Sequence, residues 1–169
     1  MSDFTFAHRE EGFDNHIEQS IRGYSNLHQD VVDLSRYFVD EESNVYDVGS
    51  STGKTIQAMA DQNYEFAPKA NYIGVEFAEG FKGDMEKRVR SVEKAHPGTT
   101  VEFIYDDIRN VEIKNASLVT SLFTLQFMPP TSRRSVVEKI YKGLNRGGAF
   151  IFAEKTVAKD ARLQEMLTF

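Results

Sequence analysis

Cysteine is absent from this chain of 169 residues. That excludes disulfides and thiolate metal sites. Long apolar runs are absent too: none approaches the ~20 residues that a membrane-spanning helix needs. The start, Met1-Ser2-Asp3, lacks the basic residues and apolar stretch of a signal peptide. Basic excess is also missing. A net charge of −6 and a pI near 5.3 argue against a broad, non-specific grip on nucleic acid. No direct nucleic-acid binding and no membrane association are therefore expected, and the expected compartment is the cytoplasm. The chain shows no internal repeat and no low-complexity linker. Its histidines (His8, His16, His28, His96) have no metal-ligand spacing and are expected at the surface, so no metal is expected.

What is present suffices for one domain with a real core, since 40% of the residues are hydrophobic and 27% charged. Residues 1–23 are polar and charged, with Phe4, Phe6 and Phe13 scattered among them. The expectation is an arm or lid over residues 1–26, ahead of a body over 27–169. From Leu27 the apolar positions Val31, Leu34 and Phe38 predict an amphipathic helix. Short strand-like runs follow at 45–48, 72–76, 101–105, 118–123 and 149–153. Between them lie helical patterns: 54–63 with Ile56, Met59 and Ala60; Phe81, Met85, Val89 and Val92; and Val136, Val137, Ile140, Tyr141 and Leu144. A last helix is expected from Arg162. Gly147-Gly148 is expected to punctuate the entry to the fifth strand, and Arg88, Arg90 and Lys94 are expected on a solvated helix face. Strands alternating with helices predict an α/β fold of parallel βαβ units with right-handed crossovers, in which ligands bind beyond the carboxyl ends of the strands.

The chemistry-bearing residues fall at those ends. The stretch NVYDVGSSTGKT, residues 44–55, reads as a strand carrying Asp47, a turn from Gly49 to Gly53, and a helix start. Glycines let backbone N–H groups approach a ligand, and a helix N-terminus favours negative charge. The loop is one residue short for a phosphate-binding P-loop, which needs four residues between its glycine and Gly-Lys-Thr. It also lacks the middle glycine of a dinucleotide fingerprint. A nucleoside ligand without phosphates fits better, and S-adenosylmethionine is the commonest on such a fold. Glu76 ends the second strand, where a carboxylate can accept both ribose hydroxyls; it can equally be a solvated acid. Asp106-Asp107 follow the third, where an aspartate can accept from an adenine amino group while the amide of Ile108 donates to the ring. An Asp pair also forms turns on its own account. Phe123, Phe127 and Met128 are expected as core or pocket wall.

Four segments carry a family resemblance: SIRGYSNL, VYDVGSSTG, YDDIRNVEIKNASLVTSLFTLQFMPP and KIYKGLNRGGAFIFAEK. Together they resemble the carboxy-S-adenosylmethionine synthases, enzymes of the Rossmann-like class I methyltransferase fold. The resemblance runs from about Phe13 to the C-terminus. It implies conversion of S-adenosylmethionine and prephenate into carboxy-S-adenosylmethionine and phenylpyruvate, for later modification of the wobble uridine of transfer RNA. It also implies that Tyr24 covers the cofactor, that Gly49, Ser50 and Ser51 form the loop contacts, that Glu76 and Phe77 hold the ribose, and that Asp107 and Ile108 clamp the adenine. Leu122 stands where the family has a ligand-facing asparagine. The family's arginine for the added carboxylate has no counterpart before Phe169, and about five strands, fewer than the family fold, are expected. An ordinary methyltransferase and a non-catalytic binding module remain the alternatives. A fifth strand without the family's later strands beside it predicts a homodimer or a covering partner chain.

Overall fold

Five short runs rich in β-branched and aromatic residues pair side by side in the computed structural model, which describes residues 12–168. The expectations attached to Phe4, Phe6, His8 and Phe169 lie outside those residues. The strands are β1 (Asn44–Val48), β2 (Asn71–Glu76), β3 (Thr100–Tyr105), β4 (Ala116–Leu122) and β5 (Leu144–Ala153). All pairings are parallel, in the order β3-β2-β1-β4-β5. The helices are α1 (Phe13–Ser20), α2 (Tyr24–Ser35), α3 (Lys54–Asn63), α4 (Lys82–Ala95), α5 (Pro130–Gly143) and α6 (Ala161–Thr168).

The central strands are covered on both faces, and β1, β2 and β4 are buried along nearly their whole length. Their side chains alternate between two cores. Val45, Tyr72 and Leu118 pack with Val32 of α2, Ile56 and Met59 of α3 and Val92 of α4. Tyr46, Ile73 and Val119 pack on the other face with Val136 and Ile140 of α5. This period-two division fixes the register, because a slip of one residue would exchange the two sets.

Several details differ from the sequence expectations. Helix α2 starts at Tyr24, three residues before the apolar stripe and across the expected 26/27 boundary. Leu144 opens β5 rather than closing α5, and Val137 and Tyr141 are exposed, so α5 buries a narrower stripe than its sequence suggests. Gly147-Gly148 does not precede the fifth strand but lies inside it. A register shift occurs there between Ala116 and Leu118 on the partner strand. A Cβ on Gly148 would sit 2.9 Å from the Ala116 carbonyl oxygen, so glycine is what lets the two backbones pass so closely. Strand β5 is an edge strand, and Phe152 on it is exposed.

Candidate functional site

Strand order in the sheet reverses at β1: β2 and β3 lie on one side of it, β4 and β5 on the other. The loops leaving β1 and β4 therefore diverge and open a crevice at the carboxyl ends. A cavity of about 620 Å³ occupies it, within the range of small-molecule sites. All the candidate residues other than Gly53 line it: Tyr24, Asp47, Gly49, Ser50 and Ser51 on one side, then Glu76 and Phe77, Asp107 and Ile108, and Leu122. Gly53 closes the turn, donating its N–H to the Ser50 carbonyl at 2.7 Å, just before α3 begins.

The floor is the turn after β1. Gly49 and Ser50 both donate their N–H groups to the Val75 carbonyl, at 2.9 and 3.2 Å. Gly49 has φ +77°, and a Cβ there would lie 2.0 Å from Oγ1 of Thr124. Only glycine satisfies both conditions. Ser51 takes a left-handed conformation, φ +47°, without being glycine. Its N–H is held at 2.8 Å by Oε2 of Glu76, whose Oε1 accepts from Ala78 N–H at 2.8 Å. Glu76 thus ties the turn after β1 to the turn after β2 while lining the cavity.

Asp47 is almost wholly buried beneath this floor and accepts from the Thr120 hydroxyl at 2.7 Å. Burial pushes its carboxyl up to about 6. The hydroxyls of Thr120 and Ser50 oppose that, and the charge of Glu76 adds to it. Two carboxyl groups facing one cavity make it electrostatically suited to a cationic ligand.

Helix α1 forms the facing wall, with Phe13, Asp14 and Ile17 lining the cavity although none of its residues is buried. Polar latches hold it. Asp14 accepts from the Thr52 hydroxyl at 2.7 Å and from Arg88 Nη2 at 2.6 Å, and Arg88 Nη1 reaches Gln57 at 2.6 Å. Glu18 pairs with Lys54, whose ammonium lies 5.8 Å over the Tyr24 ring. Phe13 meets Phe81 edge to face at 5.0 Å. Arg88 is therefore not on the solvated face expected of it, because it crosses from α4 to clamp α1. Nor is His28 at the surface: one turn after Tyr24 on the inner side of α2, it is buried and stacked on that ring. Burial lowers its pKa, with the Lys54 charge acting the same way. The Tyr24 phenol is pushed up to about 12, by burial first and then by the charges of Asp47, Asp14 and Glu18, so it stays a neutral hydroxyl.

Beyond β3, Asp106 accepts from the Asp107 N–H at 2.6 Å and from Asn110 at 2.9 Å. Asp107 is gripped by Arg109 through Nε and Nη2, at 2.9 and 2.6 Å, which lowers its pKa. The pair thus does form a turn, and Ile108 is buried behind it. Phe77 is exposed at the rim. On the far side, Leu122 ends β4 half-buried, and Phe123, Phe127 and Met128 line the cavity as wall, as expected. Lys155 also lines it and was not singled out from the sequence. The strand-end logic that found Glu76, carried on to the end of β5, would have reached it. Asp14 offered no such signal. Among the described residues, no group of three or more His, Asp or Glu could hold a metal ion, and no helix is long and apolar enough to cross a membrane.

A family profile described as "Methyltransferase domain" matches residues 45–148. A protein of Mannheimia succiniciproducens named carboxy-S-adenosyl-L-methionine synthase is 40% identical over 169 residues, covering 99% of this chain and 68% of that one. A protein of the same name from Haemophilus ducreyi is 42% identical over 171 residues, covering 99% and 67%. Among solved structures, the complex of DhpI with SAM and HEP superposes with a TM-score of 0.64 at 13% identity, covering 94% of this chain and 65% of that one. That likeness shows the fold.

Proposed function

The chain belongs to the carboxy-S-adenosyl-L-methionine synthase family of the methyltransferase superfamily, and from that premise we propose how its cavity holds S-adenosylmethionine. The adenosine lies across Glu76, Phe77, Asp107 and Ile108, with the ribose hydroxyls on the Glu76 carboxylate. The methionyl part runs over Gly49, Ser50, Ser51 and Gly53 toward Asp47. Tyr24 and the arm expected over residues 1–26 close over it, and Leu122 contacts its far end. The observation that carries this reading is the Glu76 carboxylate, held by two backbone amides at the carboxyl end of β2 and turned into the cavity beside buried Asp47. The sulfonium and ammonium charges of the ligand complement that acidic pair.

The second substrate is a small carboxylate, with prephenate the family's own. Lys155 supports this reading. Of the cavity-lining cations, Lys54 is paired with Glu18 and Arg109 with Asp107, whereas Lys155 has no acidic partner among the described residues. In this reaction prephenate loses its ring carboxyl as carbon dioxide and its ring hydroxyl as hydroxide. The hydroxide leaves as water with a proton from the sulfonium-activated methyl group, and that carbon captures the carbon dioxide. The chain's own groups supply orientation, water exclusion and charge complementarity. The reading places the protein in the cytoplasm, and it has the β5 edge paired with a second copy or a covering chain, supported by the exposed Phe152 stacked on Phe150 at 5.1 Å. Light scattering that finds only monomer would reject that pairing.

The direct test of the site is calorimetric titration of Glu76→Ala with S-adenosylmethionine. The expected loss is roughly 1–3 kcal/mol, the scale of charge-assisted hydrogen bonds. Unchanged affinity would remove Glu76 from the site. Mass spectrometry of ligand carried through purification separates carboxylated cofactor, which supports the synthase, from S-adenosylmethionine or S-adenosylhomocysteine, which would favour a methyltransferase or a binding module.

A further inference from the structure

The segment leaving β4 is held from more directions than a surface loop requires. Phe123 has φ +58°, a left-handed conformation that a bulky residue adopts only where its surroundings impose it. Its N–H donates to the Ala153 carbonyl at 2.7 Å. The short 3-10 turn that follows, Leu125–Phe127, receives no side-chain cap from its own N-cap residue, Thr124. Glu154, at the end of β5, does the capping instead: its Oε1 accepts from Leu125 N–H at 2.7 Å and its Oε2 from Gln126 N–H at 3.0 Å. A carboxylate on the free amides at the start of a helical turn is a charge-assisted arrangement. From the other side, Arg133 of α5 donates Nε to the Met128 carbonyl and Nη2 to the Gln126 carbonyl, both at 3.0 Å. The Gln126 side chain accepts from Lys155 N–H at 3.2 Å. Thr124 meanwhile fills the space that a side chain at position 49 would need.

These bonds share one result. Phe123, Thr124, Gln126, Phe127 and Met128 all line the cavity, and the chain's own groups hold their backbone in place. We propose that Glu154 is a positioning residue: by capping the 125–127 turn from the neighbouring strand, it presets the wall against which the methionyl, group-transferring end of the cofactor is seated. The proposal rests on the cofactor orientation given above. Preset walls spare a ligand the cost of ordering its own site. Adenosine lies on the opposite side, against Glu76 and Asp107, and does not need this wall.

The test is calorimetric titration of the full chain with two probes, S-adenosylmethionine and adenosine. Glu154→Ala is expected to weaken S-adenosylmethionine about tenfold, while adenosine affinity stays within about twofold. Glu154→Gln, which keeps one acceptor, should recover part of the loss. Arg133→Met loosens the same segment from the other side and should give the same split between probes, which keeps the proposal testable if Glu154→Ala fails to fold. Equal loss for both probes would mean a merely structural role, and no loss for either would mean that the wall does not need the cap; both overturn the proposal. An unaltered chain that binds neither probe would overturn the cofactor reading as well, and so marks a different failure.

Discussion

The two walls of the cavity are built in opposite ways. Helix α1 buries none of its residues and is held by side-chain links, Asp14 to Thr52 and Arg88, and Glu18 to Lys54. The 123–128 wall is held through its backbone, by Glu154 on two amides, Arg133 on two carbonyls and the Ala153 carbonyl on Phe123. Partly exposed ion pairs contribute little each and can be exchanged for water. The backbone groups of the 123–128 wall are part-buried too, but partners at the end of β5 and on α5 hold several of them at once. We therefore expect the α1 wall to be the one that leaves and returns while the other stays, with a ligand entering from the α1 side.

The largest expected effect breaks the fixed wall where it meets the floor. Gly49→Ala places a side chain at φ +77° and within 2.0 Å of Thr124. We expect a loss of roughly 2–4 kcal/mol in stability by chemical denaturation, together with loss of cofactor binding. Tolerance of this change would show that the wall yields, and the contrast between the two walls would collapse.

A middle-sized effect concerns the charge between the walls. Because the Asp47 carboxyl is raised to about 6 from an ordinary 3.8, its protonated form favours the folded, ligand-free chain. The stability it contributes is fully present below about pH 4 and is lost as pH rises through about 6, roughly 3 kcal/mol in all. Binding of a cationic cofactor runs the other way, strengthening as Asp47 ionises. Titrations from pH 5 to 8 should show affinity rising through about pH 6, and Asp47→Asn should flatten both trends. An unaltered pH profile in that variant would remove Asp47 from the charge balance.

The smallest expected change is in stability when the movable wall is released. Asp14→Ala removes the links to Thr52 and Arg88, and should lower global stability by no more than about 1 kcal/mol. Hydrogen exchange across residues 13–27 should nonetheless speed up, and should slow again when S-adenosylmethionine is added. Exchange that ignores both the substitution and the ligand would mean that α1 does not act as a lid.

Sequence patterns revealed the strand ends of the site better than the latches that join distant residues, for a physical reason. Strand ends announce themselves: an apolar run stops and a glycine, Glu76 or the Asp106-Asp107 pair follows, all within a few residues. The latches join residues distant in the chain. Asp14 meets Arg88 across 74 positions, and Glu154 meets Leu125 across 29. No local period marks such pairs, so Arg88 read as solvated and Glu154 passed without notice. His28 failed differently. Its place on α2, one turn after Tyr24, puts it on the inward face, but histidine is polar enough to pass for a surface residue. Gly147-Gly148 was legible as a break in pattern, though not as a bulge within a strand that begins at Leu144.

The strand order carries a consequence for the order of assembly. β1, β2 and β3 are contiguous in sequence and pair as soon as residue 105 is available, bringing together the glycine turn and Glu76. β1 meets its other neighbour only after a long excursion, since Asn44 pairs with Ala116. Such distant pairings are slow to close. A chain emerging from the ribosome thus completes the Glu76 side of the cavity well before Thr124 arrives to roof Gly49, and Glu154 comes later still. Until then one flank of β1 is an open, apolar edge. The interval between those two events is when this protein is most exposed to mispairing with another chain.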